Sequence, residues 1–321
     1  MSKKSFVVLI VSLLLLPSCI KEDMSNCPEQ IRIYFTFTTV DTYTGEGNDP
    51  INPEDVDRMH VYVFDGKGYY LGEYRDDNIT DFSTEYFIDC SDLLPGGYRF
   101  VAWGGKDEDF YMTVPEPFVK GETTFDKAFL LLKHPENRIT RLVHHIFHSD
   151  LPATVTIAKE QRFDMPLAQM SNTINLYTIG LPPDADDYTF TITDNNDIYD
   201  FENSFASYAS APFFTYNAPC TRDEAGQLRS TLHVLRMAED RHTPTLQIKN
   251  ETTGELLYPF DSYPNNLINL INSACPGNDF DKKHTYDITL DFKDWGKPTG
   301  TTVTIMINGW VVREEEVTLE E

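Results

Sequence analysis

From Ile31 the chain alternates apolar with polar or aromatic side chains, Ile31-Arg32-Ile33-Tyr34-Phe35-Thr36-Phe37, and the same two-residue period returns at His60-Val61-Tyr62-Val63-Phe64. A period of two sends successive side chains to opposite faces, so each run predicts a strand with one buried face. Asp65-Gly66-Lys67-Gly68 separates the second run from Tyr69-Tyr70-Leu71-Gly72-Glu73-Tyr74. This predicts a hairpin, because Asp-Gly supplies the positive φ angles of a tight reversal. Leu94-Pro95-Gly96-Gly97 is a turn leading into a strand from Tyr98 to Trp103. A second block of strands is predicted at Ala153 to Ile157, Asn172 to Ile179, Tyr188 to Thr193, Ser230 to Leu235, Thr245 to Ile248 and His284 to Leu290, all rich in β-branched and aromatic residues. Only Asn265 to Ile271 carries a helical stripe, and it is short. The pattern predicts an all-β protein, two β-sandwich domains in series. The boundary falls in the polar stretch between His148 and Met165, giving domains at 28–158 and 159–321.

One apolar run fits no strand. Lys3 and Lys4 precede Phe6 to Leu16, a stretch well short of the ~20 residues that an α-helix needs to cross a bilayer. It ends at Leu16-Pro17-Ser18-Cys19, which resembles the bacterial lipobox: residues 1–18 are a cleaved signal peptide and Cys19 is the acylated N-terminus of the mature chain. Several acyl chains on Cys19 would form a lasting anchor, since each buried CH2 contributes ~0.8 kcal/mol. Ile20-Lys21-Glu22-Asp23 resembles the acidic export tag of Bacteroidota lipoproteins, so Lys21, Glu22 and Asp23 imply the outer face of the outer membrane. Residues 19–27 form this lipidated, tagged segment.

Charge narrows the partners. The whole chain carries −25; cleavage before Cys19 removes Lys3 and Lys4 and leaves 24 basic against 51 acidic side chains, about −27. Such a surface repels nucleic acid and anionic headgroups, so neither DNA nor RNA is expected as a partner and the lipid alone must hold the protein. Aromatic residues at 13% and apolar residues at 40% exclude a disordered acidic chain.

Besides Cys19 there are Cys27, Cys90, Cys220 and Cys275, two in each half. The economical disulfide pairing is Cys27–Cys90 and Cys220–Cys275, although four cysteines allow three connectivities and isolated buried thiols are the alternative. There is no Cys-x-x-Cys spacing, and neither a metal nor a cofactor is expected. His134, His144, His145 and His148 would make a metal cluster only if that stretch were helical. Asp194-Asn195-Asn196-Asp197 reads as a turn, and Trp103, Trp295 and Trp310 read as core residues. No nucleophile elbow, phosphate loop or His-Glu-x-x-His motif is present, so the chain is not expected to be an enzyme.

Taken in order, several motifs resemble the FimB-type anchor subunits of Bacteroidales type V fimbriae, in the fimbrillin superfamily. They are the lipobox with Asp23-Met24-Ser25-Asn26-Cys27-Pro28, the strands Ile31 to Phe37 and His60 to Asp65, Leu93 to Gly105, Asn172 to Leu176, and Thr302 to Trp310. The resemblance implies transthyretin-like sandwiches, fimbrial shaft subunits as partners, and assembly by exchange of a C-terminal strand. Val311, Val312, Val317 and Leu319 in the tail would then be the candidate donor strand, weighed equally against an ordinary strand with a frayed acidic end. An anchor would keep its first strand, and a Cys27–Cys90 bond would clamp it. Two rivals remain: a fimbrial tip adhesin with a host or bacterial surface ligand, and a surface glycan-binding lipoprotein built around clustered exposed aromatics.

Overall fold

The alternation at Ile31 is strand β1 (Gln30–Phe37), with Ile31, Ile33 and Phe35 fully buried. The computed structural model describes residues 30–37, 51–181, 187–204, 212–218, 220–238, 243–259, 266–293 and 301–317. After β1 come β2 (Met59–Asp65), β3 (Tyr70–Asp76), β4 (Phe87–Asp89) and β5 (Gly96–Gly104). Then follow β6 (Tyr111–Val114), β7 (Phe129–Leu132), β8 (Arg138–Ile139), β9 (Phe147–Val155) and β10 (Glu160–Gln169). The expected β2–β3 hairpin forms, but its left-handed residue is Gly68, at φ +86°, not Gly66. The Asp65 carboxylate closes the turn by accepting from the N–H groups of Lys67 and Tyr69.

These strands build one sheet ordered β3-β2-β5-β9-β10-β1-β4. β9 and β10 pair directly only at Ala168 and Gln169, so the sheet folds into two leaves, β3-β2-β5-β9 and β10-β1-β4. Between them lies a core of Ile31, Ile33, Phe35, Val61, Val63, Phe100, Met165 and Leu167 among others. At the open side Tyr86 OH donates to Asp76 and Tyr74 OH to Asp92, drawing the outer strands together.

The second half has strands β11 (Ser171–Ile179), β12 (Tyr188–Asp194), β13 (Ile198–Asp200), β14 (Phe214–Ala218), β15 (Thr221–Arg222), β16 (Leu228–Leu235), β17 (Thr245–Asn250) and β18 (Leu256–Tyr258). Helix α1 (Leu267–Ala274) and strands β19 (Thr285–Lys293), β20 (Thr301–Ile307) and β21 (Trp310–Val317) complete it. Two sheets, β15-β16-β11-β19-β20-β21 and β18-β17-β12-β14-β8, face each other. α1 is the expected short helix; Asn266 caps it by accepting from the Asn269 N–H, and Leu267, Ile268 and Ile271 are buried.

The protein is all-β, as the alternation predicts, but the strands do not divide where the polar stretch falls. β9 pairs with β5 along its whole length and β10 runs parallel to β1 from Gln30↔Glu160 to Phe37↔Leu167, so residues up to 169 belong to the first sheet and the crossing is at Met170. In return, β8 joins β14, and β6-β7-β13 form a small sheet beneath β2 and β5. Tyr62, Phe64, Val101 and Trp103 therefore pack into one continuous core with the second sandwich, while Val61, Val63, Phe100 and Ala102 face the first. Both faces of β2 and β5 are buried.

Candidate assembly site

β1 is an inner strand, held on both edges. It takes the parallel ladder from β10 and an antiparallel one from β4, where Cys90 N–H donates to Ile31 O at 2.8 Å and Ile31 N–H donates to Ser91 Oγ at 3.0 Å. Outside, Arg162 lies 3.8 Å over Tyr34 and Arg32 lies 4.4 Å over Phe87. The buried trio Ile31, Ile33 and Phe35 contributes roughly 2 kcal/mol per side chain by burial alone. Without β1, the space between β10 and β4 would be a groove with unpaired backbone on both walls and pockets at alternate positions.

At the other terminus, β20 and β21 form a hairpin around Asn308 (φ +50°) and Gly309 (φ +80°), the two left-handed residues of a tight reversal. Asn308 N–H donates to Asp287 O at 2.8 Å, and Asp287 N–H donates back to Asn308 Oδ1 at 2.9 Å. β21 pairs with β20 from Trp310 to Val317 and is the outermost strand of its sheet, with α1 packed against the hairpin. Val311, Val312 and Val317 of the candidate donor are thus paired within their own domain, and among the described residues no strand pairs with the other edge of β21; Leu319 lies outside the described residues. Trp310, expected in the core, is 68% exposed and Val311 62% exposed.

The first and last described residues, Gln30 and Val317, lie at the far ends of their strands from the crossing at Met170. β1 and β10 run together from Gln30 and Glu160 toward Met170, where the chain enters the second sandwich. β11 continues outward, β19 runs beside it in the same direction, β20 returns, and β21 runs outward again until Val317 is level with Thr301.

Other sequence candidates disperse. Cys19, Lys21, Glu22, Asp23 and Cys27 lie outside the described residues. Cys90, Cys220 and Cys275 are free thiols, so the Cys220–Cys275 pairing is not made. Cys220 adjoins Thr221, which pairs with Arg229 opposite Tyr177, whereas Cys275 lies in a cleft with Thr285, opposite Thr173. Four residues of strand separate those levels, beyond the ~7 Å Cα spacing a disulfide tolerates. Cys90 is buried against Ile31, and burial pushes its thiol pKa far up.

The four clustered histidines point four ways, in a stretch that is not helical around His144 and His145 and enters β9 at Phe147. His134 stacks on Phe214 and pairs with Asp197 at 2.9 Å; His144 approaches Asp107; His145 stacks on His233; His148 packs under Trp103 and bonds Phe201 O at 3.2 Å. Among the described residues no group of three or more His, Cys, Asp or Glu could hold a metal. Asp194 ends β12, and Asn195 to Asp197 link it to β13. Trp103 is core, and Trp295 lies outside the described residues. Among the described residues the exposed aromatics Tyr69, Phe87, Phe213 and Trp310 sit on separate segments.

A family model of the fimbrillin-A associated anchor proteins Mfa1 and Mfa2 matches residues 24–316. The fold is similar to that of the fimbrial anchor protein Mfa2 from Porphyromonas gingivalis, at 21% identity and a TM-score of 0.65 over 89% of this chain and 100% of that one. It is also similar to a candidate polysaccharide-binding protein from Bacteroides thetaiotaomicron, at 19% identity and a TM-score of 0.69 over 88% and 97% of the two chains. A candidate adhesin from Bacteroides ovatus matches at 16% identity and a TM-score of 0.69, over 92% and 100%. No functionally curated protein sequence matches significantly.

Proposed function

We propose a role for this chain from the premise that it belongs to the family of fimbrillin-A associated anchor proteins Mfa1 and Mfa2: it is a surface lipoprotein that roots a fimbria in the outer membrane. Cys19 carries the lipid, and the export tag Lys21-Glu22-Asp23 directs the protein to the cell surface. The first shaft subunit pairs with the C-terminal strand.

The observation that carries this reading is a locked first strand with its start at Gln30 and a last strand with its end at Val317, both pointing away from the crossing at Met170. A chain tethered before Gln30 holds its first sandwich toward the membrane, and β21 then runs away from it, offering its open edge where a shaft would start. With β1 buried between β10 and β4, the first sandwich keeps its own groove filled and accepts no further strand. Growth toward the membrane would stop there.

For β21 to be donated it must leave β20. Its long ladder sits at a sheet edge with Trp310 and Val311 exposed, so the exchange trades one set of backbone bonds for another and fills pockets on the partner.

The test is intact mass on protein extracted from native outer membrane with its fimbriae. A full mature chain with acylated Cys19 in fimbrial material supports the anchor. A chain trimmed behind β1 would make it a shaft or tip subunit. A lipidated chain without a fimbrial partner would move it to the glycan-binding class.

A further inference from the structure

The first sandwich has a gap in its inner lining. Directly opposite residues of paired strands project to the same face, so β3 turns toward the first core Tyr74, opposite Val61, and Gly72, opposite Val63. A Cβ at Gly72 would meet nothing within 4 Å. The space left there belongs to a cleft of about 340 Å³ between β3 and the β4–β5 connection, within the range of ~300–1,000 Å³ that small-molecule sites occupy.

The cleft is amphipathic. Leu71 and Leu93 pack on the first core, Leu94 stands 73% exposed at the rim, and Tyr74 and Tyr98 add partly buried rings. The phenol protons are spent within the wall: Tyr74 OH donates to the Asp92 carboxylate, and Tyr98 OH donates to Leu94 O at 2.7 Å. Both phenol oxygens are thereby left to accept, as are the carboxylates of Asp92 and Glu73. Glu73 spends Oε1 on fully buried His60, whose Nδ1 lies 2.5 Å away. Among the described lining residues Lys120, exposed on the β6–β7 connection, is the one cation.

A surplus of acceptors calls for a ligand that brings hydroxyl donors, and the leucines and rings call for an apolar C–H face. An anion is repelled by Asp92 and Glu73 and by the net charge of −25. A compact cation would gain nothing from the leucines. A pyranose ring carries both features and no charge.

We propose that this cleft binds one neutral hexose unit of a glycan, its hydroxyls donating to Asp92, Glu73 and the tyrosine oxygens and its C–H face lying on Leu71 and Leu93. Such a site needs no exposed aromatic platform. It stands apart from the anchor reading, since it depends on neither the lipid nor strand exchange.

The test is saturation-transfer NMR on the full mature chain in a zwitterionic detergent without sugar headgroups. The probes are the methyl glycosides of glucose, galactose and mannose, with methyl glucuronide as an anionic control. The expected result is transfer to the ring C–H protons of at least one hexoside and none to the glucuronide. Gly72→Trp fills the cleft from a position outside the left-handed region, and Asp92→Ala removes an acceptor at an exposed position; each should weaken binding at least about tenfold. Leu256→Ala, on β18 of the second sandwich, should leave binding unchanged. Asp92→Ala decides alone if Gly72→Trp fails to fold. No transfer to any of the three hexosides, equal transfer to the glucuronide, or binding that either folded variant leaves intact overturns the proposal.

Discussion

The imidazoles of His145 and His233 stack with ring centroids 3.8 Å apart and planes 26° from parallel, joining the segment that leads into β9 to β16 of the second sandwich. His145 Nδ1 lies 2.7 Å from Ser171 Oγ and His233 Nδ1 lies 2.7 Å from Val143 O, which fixes both rings at the joint between the sandwiches. Burial first, then the charge that His233 would carry, pushes the His145 pKa down to about 3. Burial also lowers His233, and takes His148 beneath Trp103 down to about 4.

These depressed values set an acid limit. Between pH 6.5 and about 4 the unfolded chain binds protons at His145 and His148 that the folded chain refuses, so stability rises with pH there and is lost as pH falls. Each of these two histidines costs about 2 kcal/mol by pH 5. Urea unfolding at pH 7.5 and pH 5 should show the loss, and His148→Gln should shrink the difference between the two curves.

β1 is expected to carry a large share of the first sandwich's stability. Ile33→Ala and Phe35→Ala each remove a fully buried side chain between the two leaves and should cost about 2–5 kcal/mol in chemical unfolding. An Arg32→Ala change, on the solvent side over Phe87, should cost less than about 1 kcal/mol. Equal losses at the two kinds of position would contradict the placement of β1.

Gly105 and Gly121 both have positive φ, +68° and +76°, but differ in surroundings. A Cβ at Gly105 would run into the carbonyl oxygen of His145, whereas nothing lies within 4 Å of one at Gly121. Gly121→Ala should therefore cost only the left-handed backbone strain, about 1 kcal/mol. Gly105→Ala must also push back the segment holding the histidine stack, and thermal melting should show a clearly larger drop.

The thiols should titrate separately. In native conditions a chromogenic disulfide reagent should modify Cys220 and Cys275, both partly exposed, while Cys90 reacts only on unfolding. Burial raises the Cys220 thiol to about 11, which slows it at neutral pH. A mass two units light on a Cys220–Cys275 peptide pair would refute the free-thiol arrangement.

Period-two alternation by itself determined that the chain is all-β, because burying one face of each strand is a local demand written in neighbouring residues: Ile31 to Phe37, His60 to Phe64 and Asn172 to Ile179 are strands where the pattern put them. The same local logic located α1 and the β2–β3 hairpin. Family membership was legible too, in the order of motifs too weak to carry it singly. What only the tertiary structure decided is pairing across distance. That β10 lies parallel to β1 more than a hundred residues away moved the division between sandwiches from 158 to Met170, and no local signal carries it. Trp310 looked like core because tryptophan usually is, yet a hairpin turn at Asn308-Gly309 leaves it on the outermost strand. Cys220 and Cys275, the economical pair because both fall in the second half of the chain, sit at different levels along β11, since covalent pairing depends on where strands end and not on which half holds the two thiols.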